Sequence, residues 1–363
     1  MAGAAEENGL MSGLGSLSPQ SRVAILLHGG LLREQGKTGV SLLRYGQFQV
    51  VAVIDREQAG GSLAALTGIP KAIPIVASVA EALSYQPEIL VIGIAPSGGQ
   101  LPQEWRQELG QALRAGLSLV NGLHTPLAQD PQFQQWLQPG AWIWDIRREP
   151  QGLSVGKALA RTLPCKRVLT VGTDMSVGKM STSLELHRAS LKRGLRSCFL
   201  ATGQTGIMLS GDGIPLDAVR VDYASGAVEQ LVLRYGSNHD ILHIEGQGSL
   251  LNPASTATLP LIRGSQPTHL ILVHRAGQTH IKGMEYVPIP PLSKVIDLYE
   301  QVAAAAGAFA PVPVVGVALN TFGWEEAAAR EQIRQLEAET GLPCTDVVRL
   351  GADPLLDKIL AEG

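Results

Sequence analysis

Residues 167–194 read RVLTVGTDMSVGKMSTSLELHRASLKRG. An apolar strand runs into a glycine-bounded turn and then into an amphipathic helix, the setting that a phosphate-binding loop requires. Gly172 and Gly178 permit a turn whose successive backbone N–H groups converge on an anion. The helix starting near Gly178 adds the positive end of its dipole, and Lys179 adds a point charge. The expected binders of a phosphorylated cofactor are therefore Gly172, Thr173, Asp174, Met175, Ser176, Val177, Gly178 and Lys179, followed by Met180 and Ser181. Two positions depart from a strict Walker A pattern: Thr173 stands where Gly is usual, and Met180 where Ser or Thr is usual. That hydroxyl normally holds the Mg²⁺ bridging the β- and γ-phosphates. A thioether cannot replace it, and Ser181 or Thr182 would serve only with a shifted helix register. The plain alternative is a strand-to-helix turn with a solvated lysine.

Working outward, the same alternation continues to the C-terminus. Strands are expected at 196–202, 240–246, 269–274, 312–320 and 345–350, with helices at 178–193, 225–235, 292–306, 325–339 and 353–361. Upstream lies a second series of apolar runs at 22–27, 48–55, 87–96, 116–122 and 141–146. Helical segments fall between them, as at 102–116, where Trp105, Leu109 and Leu113 share one face. Continuous apolar strands alternating with helices mean parallel sheets covered on both faces. The fold class is α/β: two doubly wound, mainly parallel-sheet domains in series, Rossmann-like at residues 22–150 and P-loop NTPase-like at 151–363, after a flexible tail at 1–21.

Bulk properties agree with this and narrow the function. The chain has 363 residues, which suits about two domains. Twenty-nine Lys and Arg against 32 Asp and Glu give no basic field for a polyanionic duplex, so no nucleic-acid partner is expected. Three cysteines, at 165, 198 and 344, are too few and too scattered for a disulfide framework or a CxxC site. No signal peptide or membrane span is read, and the expectation is a cytoplasmic, homo-oligomeric protein without a membrane partner. Cys198 sits mid-strand and reads as a structural thiol rather than an acyl carrier. His239 and His243 bracket a strand, so no metal site is expected from them. The first domain lacks a GxGxxG fingerprint, although Asp55 ends its second strand where a ribose-binding acid would lie; Gly93–Gly99 lies at another strand end.

A second motif, Ile244-Glu245-Gly246-Gln247-Gly248, ends a strand of the P-loop half, and Asn320 ends the strand VVGVALN. The loop spelling and the Glu-Gly-x-Gly turn resemble those of dethiobiotin synthetase and its relatives. There the glutamate contacts metal and an asparagine often contacts the nucleotide base. A closer resemblance rests on GTDMSVGKMSTSLEL, ATGQTGIMLSGDGIPLDAVRVDYASG, HIEGQGSLLNPAS and YVPIPPL. Together these resemble the DUF1611 family, associated with D-glutamate N-acetyltransferase, from about residue 22 to the end and including the methionine after the lysine. What the resemblance implies is acetyl transfer from acetyl-CoA to the amine of D-glutamate, with the loop holding coenzyme phosphates.

The residues are compatible with that chemistry. Coenzyme A can occupy a phosphate loop that lacks a good Mg²⁺ hydroxyl, so Met180 favours acyl over phosphoryl transfer. The ammonium of an amino acid must lose a proton before attack, and Glu245, then His274, are the candidate bases. Carboxylates of the substrate call for cations: Arg275, Lys282 and Arg220 are candidates, with Gln204 and Thr205 in a neighbouring GQTG loop. Two further readings stand beside this one. One is an ATP/Mg²⁺-dependent kinase or ligase resembling dethiobiotin synthetase, and the other is a non-catalytic nucleotide-binding module.

Overall fold

The apolar runs become strands of two parallel six-stranded sheets in the computed structural model, which describes residues 17–96 and 100–362. The first sheet comprises β1 (Arg22–Leu26), β2 (Gln49–Ile54), β3 (Ile75–Val76), β4 (Ile89–Ile92), β5 (Ser118–Asn121) and β6 (Ile143–Asp145), in the order β3-β2-β1-β4-β5-β6. This is the doubly wound Rossmann order. The second comprises β7 (Lys166–Gly172), β8 (Ser197–Leu200), β9 (Ile241–Ile244), β10 (His269–Arg275), β13 (Val314–Asn320) and β14 (Cys344–Thr345), in the order β14-β13-β10-β7-β9-β8. A small antiparallel hairpin, β11 (His280–Ile281) and β12 (Met284–Pro288), follows β10. The chain divides into two compact units between Glu149 and Pro150. Ile207–Ala218 groups with the first unit although P-loop-unit sequence flanks it on both sides. No helix among the described residues is long and apolar enough to cross a membrane.

β7 is central in its sheet, pairing with β10 on one side and β9 on the other. Leu186 and Ala189 of the helix Lys179–Lys192 join Val168, Ile241, Ile271 and Val273 of the sheet in one buried core. Leu355, Leu356 and Ile359 of the helix Asp353–Ala361 close the same core. Packing on a central strand thus holds the loop between Gly172 and Lys179 on a rigid base.

Several expectations need correction. The strand read at 345–350 is only Cys344–Thr345. Asp346 ends it, because its carboxylate accepts the N–H groups of Thr321, Val348 and Arg349 and so bends its own chain into a turn. Cys198 is half-buried in β8, and His243 lies inside β9 rather than at its edge. Asp55 is fully buried and accepts the N–H groups of Gly29, Leu31 and Glu57. It braces its own loop instead of offering a carboxylate to a ribose. Residues 1–16 of the expected tail and 97–99 of the Gly93–Gly99 segment lie outside the described residues.

Candidate functional site

β7 ends at Gly172, and Thr173 extends the sheet pairing by donating its N–H to Val273 O at 3.1 Å. The chain then turns back on itself. Gly178, at φ 120°, occupies a backbone region costly for any residue with a side chain, and it caps the helix Lys179–Lys192 without a side-chain hydrogen bond. The N–H groups of Met180 and Ser181 lie in the first turn, which has no carbonyl of its own helix to bond. Thr182 is the residue that closes the ladder, to Gly178 O at 3.0 Å. Its hydroxyl donates to the same carbonyl and Ser183's hydroxyl donates to Ile244 O, so both are committed within the fold.

Lys179 is buried, and its Nζ donates to Asp174 O at 2.7 Å, closing the loop into a ring. Its stem runs beside Gly172 and Gly246, where an added Cβ would lie 3.1 Å from Nζ and 2.9 Å from Cδ respectively. Other elements brace the loop from outside. Tyr299 donates its hydroxyl to Gly172 O (2.7 Å) and accepts from Leu250 N–H. Asn320 donates to Val177 O (3.0 Å) and accepts from Phe322 N–H, so both ends of its amide serve the fold. Arg275 donates to Ser176 O at 3.1 Å.

Asp174 is the hub of these braces. Its Oδ1 accepts from Met175 N–H and Asn252 Nδ2, and its Oδ2 accepts from Gln278 Nε2 and Lys282 N–H. Burial pushes its carboxyl up. The bonds from Lys282, Asn252, Met175 and Gln278 outweigh this and hold it below the usual carboxylate range. Through these bonds Asp174 ties the phosphate loop to the segment after β9 and to the β11–β12 hairpin. Lys282 joins through its backbone, while its exposed side chain projects from the hairpin.

Glu245 follows β9 and is buried. Its Oε2 accepts the N–H groups of Thr202 (2.9 Å) and Gly203 (3.2 Å), and its Oε1 accepts Gln247 Nε2 at 3.2 Å. Gly203 and Gly206 must lack side chains: a Cβ on the first would collide with Gln247, and on the second with Glu245 Oε2. The GQTG loop carrying Gln204 and Thr205 is therefore moulded onto the glutamate. His274 is buried beside the start of the phosphate loop, with its Nδ1 2.9 Å from Thr173 Oγ1. Burial pulls its imidazole down to about 4, so it is neutral at neutral pH. Arg220, at the start of the helix Val221–Gly236, stacks its guanidinium 4.8 Å from the ring of Tyr223. No group of three or more His, Cys, Asp or Glu among the described residues is placed to hold a metal ion.

The structure thus gathers the loop, Glu245, His274, Arg275 and Asn320 around the C-terminal ends of β7, β9, β10 and β13. Tyr299, Asn252 and Gln278 were not read from the sequence. Asn252 lies in the quoted stretch HIEGQGSLLNPAS, but nothing in its spelling marks one amide as the partner of Asp174.

Residues 154–356 match the P-loop domain of the family described as DUF1611, and residues 56–149 match its N-terminal Rossmann-like domain. The chain belongs to the DUF1611 family. A crystal structure of a DUF1611 family protein from Anabaena variabilis is 65% identical and covers 94% of this chain and 100% of its own, with a TM-score of 0.93. Two curated relatives carry the name D-glutamate N-acetyltransferase. The one from Tritonibacter scottomollicae is 39% identical over 285 residues, 77% of this chain and 84% of that protein. The one from a Pseudoalteromonas species is 37% identical over 282 residues, 77% and 83% respectively.

Proposed function

We propose that this protein is an acetyl-CoA-dependent N-acetyltransferase acting on the amine of an amino acid, D-glutamate being the acceptor suggested by its named relatives. The observation that carries the reading is the loop between Gly172 and Lys179. It presents an uncapped helix N-terminus and a buried lysine to an anion, yet the position that supplies the Mg²⁺ hydroxyl in an NTPase is Met180. Such a cradle suits the phosphates of a coenzyme that is held but not hydrolysed.

Bound there, the coenzyme supplies an acetyl thioester. The chain's own part is to hold the phosphates with Lys179 and the first turn of its helix and to take up the proton that the acceptor's ammonium must lose. Glu245 is the proposed base, since it lies beside the lysine stem through Gly246 and is held by the turn at 202–203. With acetyl-CoA bound, the amine would form the new N–C bond as the thioester C–S bond breaks, and its second proton would go to the departing thiolate, which would leave as the free thiol. His274, bonded to Thr173, is a positioning residue for the start of the loop.

Free thiol release from acetyl-CoA, with D-glutamate present or absent and with or without ATP, tests this. The expectation is D-glutamate-dependent thiol release that ATP does not change. Lys179→Ala raises KM for acetyl-CoA by roughly an order of magnitude or more, the cost of one charge-assisted contact. Glu245→Gln lowers kcat by about 10²-fold or more. ADP formation without thiol release would overturn the reading in favour of a kinase or ligase.

A further inference from the structure

Arg147 lies two residues beyond β6, at the C-terminal edge of the first sheet, the side on which open parallel sheets bind ligands. Its side chain is only 10% exposed. Burial pulls its guanidinium down and Asp217 pulls it back up; it stays a cation at any working pH. Its ion pair is a single 3.2 Å contact from Nη2 to Asp217 Oδ2, and its Nε is buried without an acceptor.

Other arginines of the chain show how unusual this is. Arg167 is more deeply buried, and its Nε donates to Gln266 O and its Nη1 to the carbonyls of Leu163 and Cys165. Arg106, less buried, binds Asp130 and Gln132 through Nε and Nη2. A buried charge is stabilised only when it is paired and hydrogen-bonded. Arg147 has an ion pair but leaves its Nε without an acceptor, and its partner in that pair, Asp217, is 42% exposed. That partner comes from Ile207–Ala218, the segment that joins the first unit from the other half of the sequence.

We infer that Arg147 is an oxyanion-binding residue of the first unit, with Asp217 as its resident counter-ion. The oxyanion is the carboxylate of a small molecule held on the first unit. A planar carboxylate matches the guanidinium fork, and it displaces Asp217 into solvent. A coenzyme phosphate offers the same chemistry, so the test separates the two.

Calorimetric titration of the full-length protein with D-glutamate, with glutarate and with coenzyme A, in wild type, Arg147→Lys, Arg147→Gln and Asp217→Asn, reads the site without needing turnover. Both arginine variants are expected to bind D-glutamate and glutarate about 10–100-fold more weakly, with coenzyme A affinity unchanged. Asp217→Asn, which removes the competing carboxylate, is expected to bind them more tightly. Unchanged dicarboxylate binding in folded Arg147→Lys overturns the proposal, and so does a loss confined to coenzyme A. If wild type binds glutarate through Arg147 but transfers no acetyl group, the acetyltransferase reading fails while the site stands.

Discussion

At the scale of single residues, the phosphate loop depends on groups that never meet its ligand. Tyr299 is fully buried, and its hydroxyl joins two backbone groups, Gly172 O and Leu250 N–H, that have no reason to be neighbours in sequence. Tyr299→Phe removes that hydroxyl at almost constant volume. The expected cost is about 1–3 kcal/mol, since a buried carbonyl and a part-buried N–H both lose a partner. Chemical denaturation measures it, and a midpoint equal to that of wild type would show that water replaces the bridge without loss. The contrast with Lys179 explains what could be read in advance. Lys179, Met180 and Glu245 lie in local motifs whose spacing carries the chemistry, so their neighbourhood was legible. The bracing by Tyr299, Asn252 and Gln278 arises from chain segments brought together from up to 127 residues away, and no local pattern encodes it.

At the scale of elements, the long apolar runs were readable because strands buried on both faces leave no polar alternation to misinterpret. The failures have a common cause. β3 has two residues and β14 has two, too short for any periodicity, and Asp346 overrides the apolar run that follows β14. The helix Gln204–Ser210 escaped notice because its sequence, QTGIMLS, carries in its first turn the glycine that the glutamate requires. That requirement is open to test. Gly206→Ala places a methyl against Glu245 Oε2 and 3.0 Å from Ala201 Cβ. Neither neighbour is the mobile end of a long side chain: Glu245 is pinned by Thr202 and Gly203, and Ala201 has nowhere to go. Overpacking of this kind costs about 1–3 kcal/mol. Here it also displaces the proposed base, so kcat should fall by more than thermal stability alone explains. A variant that loses stability but keeps its kcat at a temperature where it is folded would separate the glycine's packing from any part in catalysis.

At the scale of the whole molecule, ionisable groups held away from their ordinary range divide unequally between the two units. Imidazoles pulled down by burial lie in the P-loop unit: His243 to about 3, and His187 and His274 to about 4. His243 is fully buried, with Nε2 on the hydroxyl of Ser190 and Nδ1 without a partner, so protonating it in the folded state has no compensation. In the first unit the groups held low include two carboxylates, Glu108 and Asp130, beside the Arg147 guanidinium. Burial pushes Glu108 up, but its bonds to His28 and Val79 N–H and the charges of His28 and Arg56 outweigh that and hold it low. These two kinds of group act in different pH windows. An unfolded histidine titrates near 6.5. Between that value and the folded values of 3 to 4, the unfolded chain binds more protons than the folded one, so stability falls as pH falls. Each buried imidazole contributes up to about 1.4 kcal/mol per pH unit over that window. A lowered carboxylate gives nothing to lose until pH drops below its unfolded value near 4. Acidification from pH 7 should therefore loosen the P-loop unit first, between about 6.5 and 4, and the first unit only below that. Hydrogen exchange followed peptide by peptide against pH resolves the two. Protection in β7, β9 and β10 should decline before protection in β1, β2 and β4, and His243→Gln, which cannot titrate, should flatten the early decline. Simultaneous loss in both units would instead mean that they unfold as one cooperative body, with the histidines setting the stability of the whole chain.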